Sequence, residues 1–100
     1  MKQEAVVLSS RDNVATALTD LRSGDSLGLQ IAGEDRLVVL VDDIAFGHKL
    51  CISEIENESP VVKYGEVIGV STVTIHPGEY VHTHNVVSAR GRGDLERGIQ

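Results

Sequence analysis

The segment that decides the fold is residues 26–41, which read SLGLQIAGEDRLVVLV. In residues 26–31, apolar side chains alternate with small or polar ones, and this two-residue period is typical of a strand with one buried face. The turn-forming residues Gly33-Glu34-Asp35 follow, and an apolar run then continues over residues 37–41. The segment therefore predicts a β-hairpin.

The chain on both sides of this hairpin also favours extended structure. Residues 5–8 form a short apolar run, Pro60 favours extended values for its neighbour, and residues 67–75 are the longest β-favouring segment. Pro77-Gly78 is a turn dipeptide, and residues 80–87 are again extended in character. No internal repeat is visible. Aromatic residues make up only 3% of the chain, so we expect a core of valine, isoleucine and leucine, which favour strands.

One segment, residues 13–22, has a clean helical period. Its apolar residues are spaced at i, i+3, i+4 and i+7: Val14, Ala17, Leu18 and Leu21. Asp12 is placed to cap the start of a helix, and Ser23-Gly24 supplies a stop. Residues 44–58 show no sustained period, and we expect a long connection there with a short helical turn at residues 53–55. The sequence therefore predicts a mainly β domain with one substantial helix.

Composition and charge restrict the class of protein. A chain of 100 residues with 41% hydrophobic content is sufficient for one compact domain. The net charge of −6 argues against a nucleic-acid partner, because proteins of that class bind phosphates with clustered cations. No stretch approaches the roughly 20 apolar residues that span a bilayer, and the N-terminus lacks a signal-peptide pattern. We therefore expect a cytoplasmic protein that does not bind membranes.

The chain has a single cysteine, Cys51. It has no partner for an intramolecular disulfide, and this favours a reducing compartment. Because Cys51 lies in an apolar-leaning run, a packed thiol is favoured over a reactive one.

Two histidines that lie two residues apart are the first candidates for chemistry. On an extended segment, His82 and His84 would project from one face, where they could hold one metal ion or one anionic ligand. Tyr80 would share that face, while Val81 and Thr83 would lie on the other. Histidines at this spacing also occur on solvated strand faces, so both interpretations stay open.

Other polar residues near glycines extend the set of candidates. His48 and Lys49 follow Gly47 and could supply a base for an α-proton and positive charge for an enediolate. The same two residues could instead be a loop histidine and a surface lysine. Lys63 is either an anion contact or an ordinary edge-strand charge. Asn85 either orients an imidazole or simply ends the strand.

Three short motifs occur in a fixed order along the chain. They are GHK at residues 47–49, KYG at residues 63–65 followed by IG, and GEYVHTHN at residues 78–85. This order resembles the SAF-type module at the start of altronate and galactarate dehydratases. It is also similar to the separately encoded small subunit of sulfolactate sulfo-lyase. The resemblance covers roughly residues 10–87 of the sequence.

The resemblance implies a β-clip fold of short strands with one helix, which we place at residues 4–88. The composition of residues 89–100 predicts a Gly/Arg-rich C-terminal tail or linker. It implies a lyase that removes water from a sugar acid, or sulfite from sulfolactate, together with a large catalytic subunit and a divalent metal, commonly iron. The candidate site residues are His48 and Lys49 for catalysis, Lys63 and Asn85 for substrate binding, and His82 and His84 for the metal.

The resemblance leaves two kinds of function open. The first is the small subunit or N-terminal module of a sugar-acid lyase, and the second is a free-standing ligand-binding or assembly module without catalysis. A homo-oligomer is compatible with both. In the first case we expect no lyase activity from the domain alone, because a module of this size needs a partner to enclose a polyhydroxylated acid.

Overall fold

The structure, a computed structural model, describes residues 4–88, and within them the chain forms strands and no helix. The strands are β1 (Ala5–Val6), β2 (Val14–Ala17), β3 (Ser26–Ile31), β4 (Glu34–Val39), β5 (Lys49–Cys51), β6 (Pro60–Lys63), β7 (Glu66–Ser71), β8 (Tyr80–Val81) and β9 (Val86–Ser88). The predicted mainly β fold is confirmed. The predicted tail at residues 89–100 lies outside the described residues.

Three antiparallel sheets pack as layers. The central sheet has the order β1-β2-β5-β8, the hairpin β3-β4 covers one of its faces, and the sheet β6-β7-β9 covers the other. We call these the hairpin face and the opposite face of the central sheet. Because side chains alternate along β5, Leu50 packs into the hairpin-side core and Cys51 packs into the other core.

The hairpin predicted from residues 26–41 is confirmed, but its turn is Ala32-Gly33 and not Gly33-Glu34-Asp35, because Glu34 and Asp35 already belong to β4. Strands β3 and β4 pair from Ser26 with Val39 to Ile31 with Glu34. The alternating apolar side chains of β3 are buried and the polar ones are exposed, as the two-residue period requires. Residues 40–41 continue the apolar run beyond the end of β4.

The helix predicted at residues 13–22 is wrong. Residues 14–17 form β2, which pairs with β1 on one side and β5 on the other. Both edges of β2 are therefore paired, and both of its faces are covered, because Val14 packs into one core and Ala15 into the other. Ala15, which lies outside the predicted helical stripe, is 1% exposed, whereas Leu18 within the stripe is 44% exposed. A helix of about ten residues has little intrinsic stability. Strand pairing on two edges therefore determines the structure of this segment.

The connection at residues 44–58 also differs from its prediction. It contains β5, the third strand of the central sheet, and no helical turn forms at residues 53–55. Ile55 instead forms an isolated bridge with Ile75. A strand of three residues is too short to produce a recognisable period, and its position is set by the strands on either side of it.

A turn of the same kind occurs four times within residues 4–88, and the prediction of no internal repeat missed it. In each turn, an aliphatic residue in an isolated bridge is followed three residues later by a left-handed residue, and a strand begins two residues after that. The aliphatic residues are Leu21, Ile44, Ile55 and Ile75, and the left-handed residues are Gly24, Gly47, Glu58 and Gly78. The pattern is obscured because glutamate replaces glycine in the third turn.

Among the residues described, no helix is long and apolar enough to cross a membrane.

Candidate functional site

Four aromatic and imidazole rings meet at the end of β8, and we call them the ring cluster. Tyr80 lies at its centre, with its ring centroid 5.6 Å from that of His48, 5.5 Å from that of His82 and 5.4 Å from that of His84. The rings of His48 and His82 are 5.4 Å apart. Three of the four histidines in the chain therefore lie around one tyrosine.

Pairing of β5 with β8 brings His48 to Tyr80, which is 32 residues away in sequence. His48 directly precedes β5 and follows Gly47, whose φ of 85° allows the tight turn. The His48 Nδ1 atom and the Tyr80 hydroxyl are 2.7 Å apart and share a hydrogen bond. Asp42 fixes the backbone of Tyr80, because its carboxylate accepts a hydrogen bond of 2.9 Å from the Tyr80 backbone N–H.

His82 and His84 reach Tyr80 through a turn, since β8 ends at Val81. The Asn85 N–H donates to the carbonyl of His82 at 3.1 Å and closes this turn. The rings of His82 and His84 both contact Tyr80, and Val81 is buried in the opposite core, as predicted. The predicted extended segment over residues 80–87 is wrong, because residues 82–85 form a turn between β8 and β9. Thr83, which was predicted to share the face of Val81, is exposed in this turn.

The Asn85 side chain holds the turn together from inside. It is 6% exposed, its amide oxygen accepts from the His82 N–H at 2.9 Å, and its amide nitrogen donates to the Tyr80 carbonyl at 2.8 Å. Both ends of the amide therefore bind backbone rather than an imidazole ring. These contacts make Asn85 a positioning residue for the ring cluster, and its predicted contact with substrate stays a prediction.

Lys49 and His48 lie on different sides of the central sheet. Lys49 pairs with Val81 in register, and directly opposite residues project from the same face, so Lys49 lies on the opposite face. The His48 ring contacts Tyr80, which packs against the hairpin-side core. The structure therefore does not bring Lys49 together with His48, although the two residues are neighbours in sequence.

Comparison with known proteins identifies the family of this chain. The family described as altronate/galactarate dehydratase SAF domain matches residues 3–89. The chain belongs to this family. The resemblance based on the GHK, KYG and GEYVHTHN motifs is thereby confirmed, and two of these motifs supply the rings that the SAF domain brings together.

Relatives of the SAF domain include two large proteins and one small one. It is 36% identical to altronate dehydratase of Escherichia coli (strain K12) over 80 residues and 35% identical to that of Bacillus subtilis (strain 168) over 83 residues. Each match covers 80% of this chain and 15% of the relative. It is 32% identical to (2R)-sulfolactate sulfo-lyase subunit alpha of Chromohalobacter salexigens, with 90% of this chain and 99% of that subunit covered.

The SAF domain spans about 15% of the length of the altronate dehydratases that it matches. It matches the sulfo-lyase subunit over nearly its full length. The same unit therefore occurs within a long protein and as a separate subunit.

The hydrogen bond to Tyr80 determines which atom of His48 is available for chemistry. With Nδ1 engaged by the hydroxyl, Nε2 is the ring nitrogen that remains to bind or exchange a proton with a ligand. His48 is half-buried, whereas His82 and His84 are exposed. The SAF domain thus presents one fixed imidazole beside two accessible ones.

The described residues do not by themselves fit a metal centre. No group of three or more histidine, cysteine, aspartate and glutamate side chains within residues 4–88 is arranged to hold a metal ion. His82 and His84 could supply two imidazoles, which leaves half or more of a coordination shell unfilled. Their predicted role as metal ligands therefore requires ligands from outside the described residues, and it stays a prediction.

Cys51 is expected to be inert in the folded SAF domain. It is 0% exposed, its thiol donates to the Ser53 carbonyl at 3.0 Å, and burial raises the pKa of the thiol from 9.0 to about 12. Iodoacetamide should therefore leave native protein unmodified at neutral pH and modify it fully in concentrated guanidinium chloride, as mass spectrometry would measure. Equal modification rates in the two states would contradict this.

The same thiol predicts the direction of a pH effect on stability. Because the folded-state pKa is the higher one, its contribution to stability is fully present below pH 9.0 and is lost as the pH rises toward about 12. Cys51→Ala should remove this alkaline component from the pH dependence of unfolding.

Proposed function

We propose that this SAF domain is the small component of a lyase that acts on a hydroxylated or sulfonated acid. Its ring cluster would form one wall of an active site that a larger partner completes. The observation that carries the proposal is the 2.7 Å bond between His48 and Tyr80, which fixes an imidazole beside His82 and His84. The altronate dehydratases and the sulfo-lyase subunit among its relatives support this reaction class.

The cluster has suitable groups for an elimination beside a carboxylate. In such a reaction, a base removes the proton from the carbon next to the carboxylate. The released electron pair forms a carbon–carbon double bond as hydroxide, protonated to water, or sulfite leaves the neighbouring carbon. His48 would accept the proton at Nε2, because Tyr80 holds its other nitrogen. His82 and His84 would donate hydrogen bonds to the oxygens of the acid, where negative charge develops.

The position of the cluster supports the requirement for a partner. His82 and His84 are open to solvent, whereas an enediolate forms in a site from which water is largely excluded. Ligand sites of this kind commonly lie where two protein surfaces meet. The larger partner would therefore cover the rings and contribute the groups that distinguish one acid from another.

An exposed apolar stripe on the hairpin offers a surface for such a partner. Leu37, Val39 and Val41 are 71%, 55% and 53% exposed, while the residues between them are buried. Leu37 lies opposite Gly28, which has no side chain to cover it. Carboxylates flank both ends of the stripe: Glu34, Asp35, Asp42 and Asp43. Two copies of the stripe would place these charges against each other, so we propose that an apolar surface with basic residues around it packs here.

Reconstitution tests the proposal. The SAF domain would be mixed with Escherichia coli altronate dehydratase from which the matching segment has been deleted, and separately with the companion subunit of the Chromohalobacter salexigens sulfo-lyase. We expect no turnover of altronate, galactarate or sulfolactate by any component alone, and turnover by one of the mixtures. Leu37→Asp should weaken the association, because it places a charge in the apolar stripe.

Two results would contradict the proposal. One is full activity of the truncated dehydratase and of the companion subunit without any SAF domain. The other is a stable complex that has no activity on any of the three acids, and this would favour a role in assembly.

A further inference from the structure

A second group of polar side chains lies on the opposite face of the central sheet, away from the ring cluster. Thr16 on β2 and Lys49 on β5 are directly paired. The bonds from Ala17 N–H to the His48 carbonyl and from Ile52 N–H to the Asn13 carbonyl mark the hydrogen-bonded pairs of this ladder. Thr16 and Lys49 therefore occupy a non-hydrogen-bonded pair, in which side chains approach most closely.

The turn between β6 and β7 brings Lys63 close to this pair. The Gly65 N–H donates to the buried carboxylate of Asp12 at 2.8 Å, and the Val62 N–H donates to the Asn13 side chain at 2.8 Å. Asp12 and Asn13 directly precede β2, so these bonds hold the turn over that strand. The position of Lys63 is thus set by backbone contacts, and its ammonium lies 4.8 Å from the centre of the Tyr64 ring.

The two lysines affect each other electrostatically, and neither forms an ion pair in the described part of the chain, although Glu66 lies opposite Lys63 in the β6-β7 register. Burial lowers the pKa of Lys49, and the nearby charge of Lys63 lowers it further. Within residues 4–88, neither ammonium forms an ion pair or donates a hydrogen bond. This is unexpected in a chain whose net charge is −6, because carboxylates outnumber cations on its surface.

A hydroxyl beside Lys49 is also unsatisfied. The Thr16 Oγ1 atom is buried and has no hydrogen-bond partner among residues 4–88. A buried hydroxyl without a partner costs free energy, as does a half-buried ammonium without a counter-charge. Because this hydroxyl is covered, a ligand oxygen would reach it only after a movement of the neighbouring Lys49 side chain.

We propose that Lys49, Lys63 and Thr16 form a binding site for an oxyanion, a carboxylate or phosphate group, that is separate from the ring cluster. Two ammonium groups and one hydroxyl supply only donors to a ligand that carries acceptors, and this combination selects an anion over a cation or a neutral sugar. The group could belong to a small free acid or to a carboxylate side chain of the larger partner. The site on the domain itself does not depend on the proposed lyase function.

Nuclear magnetic resonance of the lysine side chains tests the site in the isolated full chain. The chain contains three lysines, so Lys2 serves as an internal reference. On titration with malonate or inorganic phosphate, we expect the signals of Lys49 and Lys63 to shift along one saturable curve, while Lys2 follows ionic strength only. Chloride at matched ionic strength should not reproduce the curve.

Substitutions test each member of the site. Lys49→Met and Lys63→Met should each weaken malonate affinity by about ten-fold, because a charged hydrogen bond is lost. Thr16→Val should weaken it by about three-fold or more and also raise the melting temperature, since it removes a buried unsatisfied hydroxyl. Thr16→Ser, which keeps the hydroxyl, should retain affinity. Arg22→Met removes an exposed charge elsewhere and is the control.

The source of the anion is distinguished by a second measurement. If malonate and phosphate do not saturate the isolated domain, but Lys49→Met and Lys63→Met weaken its complex with the truncated dehydratase, a partner carboxylate occupies the site. If neither effect is seen, the site does not exist. Saturable binding of malonate or phosphate would support the oxyanion site even if reconstitution gave no lyase activity. Each of the two proposals can therefore fail without the other.

Discussion

Replacing Gly78 with alanine is expected to destabilise the SAF domain by about 4 kcal/mol or more, which is an exceptional loss for one methyl group. An added Cβ would lie 2.1 Å from the Val39 carbonyl oxygen and 3.0 Å from the Val41 nitrogen. The backbone at Gly78 also has a φ of 91°, which strains any L side chain. The backbone segments at Val41 and Cys51 cannot easily move away from residue 78. The Gly78 carbonyl accepts a hydrogen bond from the Val41 N–H, and the Gly78 N–H donates one to the Cys51 carbonyl.

Gly24 provides a matched control for the steric component. Its φ of 92° is nearly the same, but an added Cβ would meet no atom within 4 Å. Gly24→Ala should therefore cost only the backbone strain, about 1–2 kcal/mol. Denaturant unfolding of both variants would measure the difference. Equal losses for the two substitutions would show that the close approach of Gly78 to the end of β4 has no energetic consequence.

Replacing His48 with alanine in the reconstituted lyase is expected to lower kcat by about 10²- to 10⁴-fold, the usual effect of removing a general base. His48 is half-buried at the end of a turn and is not part of either core, so the free energy of unfolding should change little. Tyr80→Phe keeps the ring and removes only the hydroxyl that engages Nδ1, so we expect a smaller loss of kcat.

His76 is the control for loss of a histidine. It is exposed, lies outside the ring cluster and contacts Glu54 at 3.1 Å. His76→Ala should leave kcat unchanged, whereas His82→Ala and His84→Ala should lower kcat or raise KM, depending on whether each binds the transition state or the ground state. A His48→Ala lyase with unchanged kcat, or an equal loss from His76→Ala, would exclude His48 as the base.

The elements predicted correctly are those whose apolar pattern is visible within one short stretch of sequence. The β3-β4 hairpin has one buried face, so the alternating apolar residues of β3 predict both the strand and which of its side chains face the core. Strand β2 is covered on both faces, and its apolar residues no longer alternate. A helical spacing then arises by chance from Val14, Ala17 and Leu21. Short strands with two covered faces are therefore the elements that a single sequence describes least well.

The same distinction applies to the site. His82 and His84 were grouped correctly because they are close in sequence. The bond between His48 and Tyr80 depends on pairing between β5 and β8, for which no local pattern exists. The separation of Lys49 from His48 follows from strand alternation, and recognition of β5 would have predicted it. The recurrence of leucine or isoleucine three residues before glycine was the signal available for that strand.

The order of strands in the central sheet has a consequence for how the domain folds. Neighbouring strands of this sheet pair Ala5 with Ala17, Thr16 with Lys49, and Lys49 with Val81. The sheet therefore joins strands from both ends of the described chain to β5, which lies near the middle of the sequence. The β3-β4 and β6-β7 hairpins pair residues that are close in sequence, whereas chains dominated by distant pairings such as β5 with β8 fold slowly, in about milliseconds to seconds. During synthesis, β8 leaves the ribosome after every strand that it must join. The His48 imidazole therefore meets its phenol partner only after β8 has been synthesised and has paired with β5, and a chain in which this pair has not formed does not present the site.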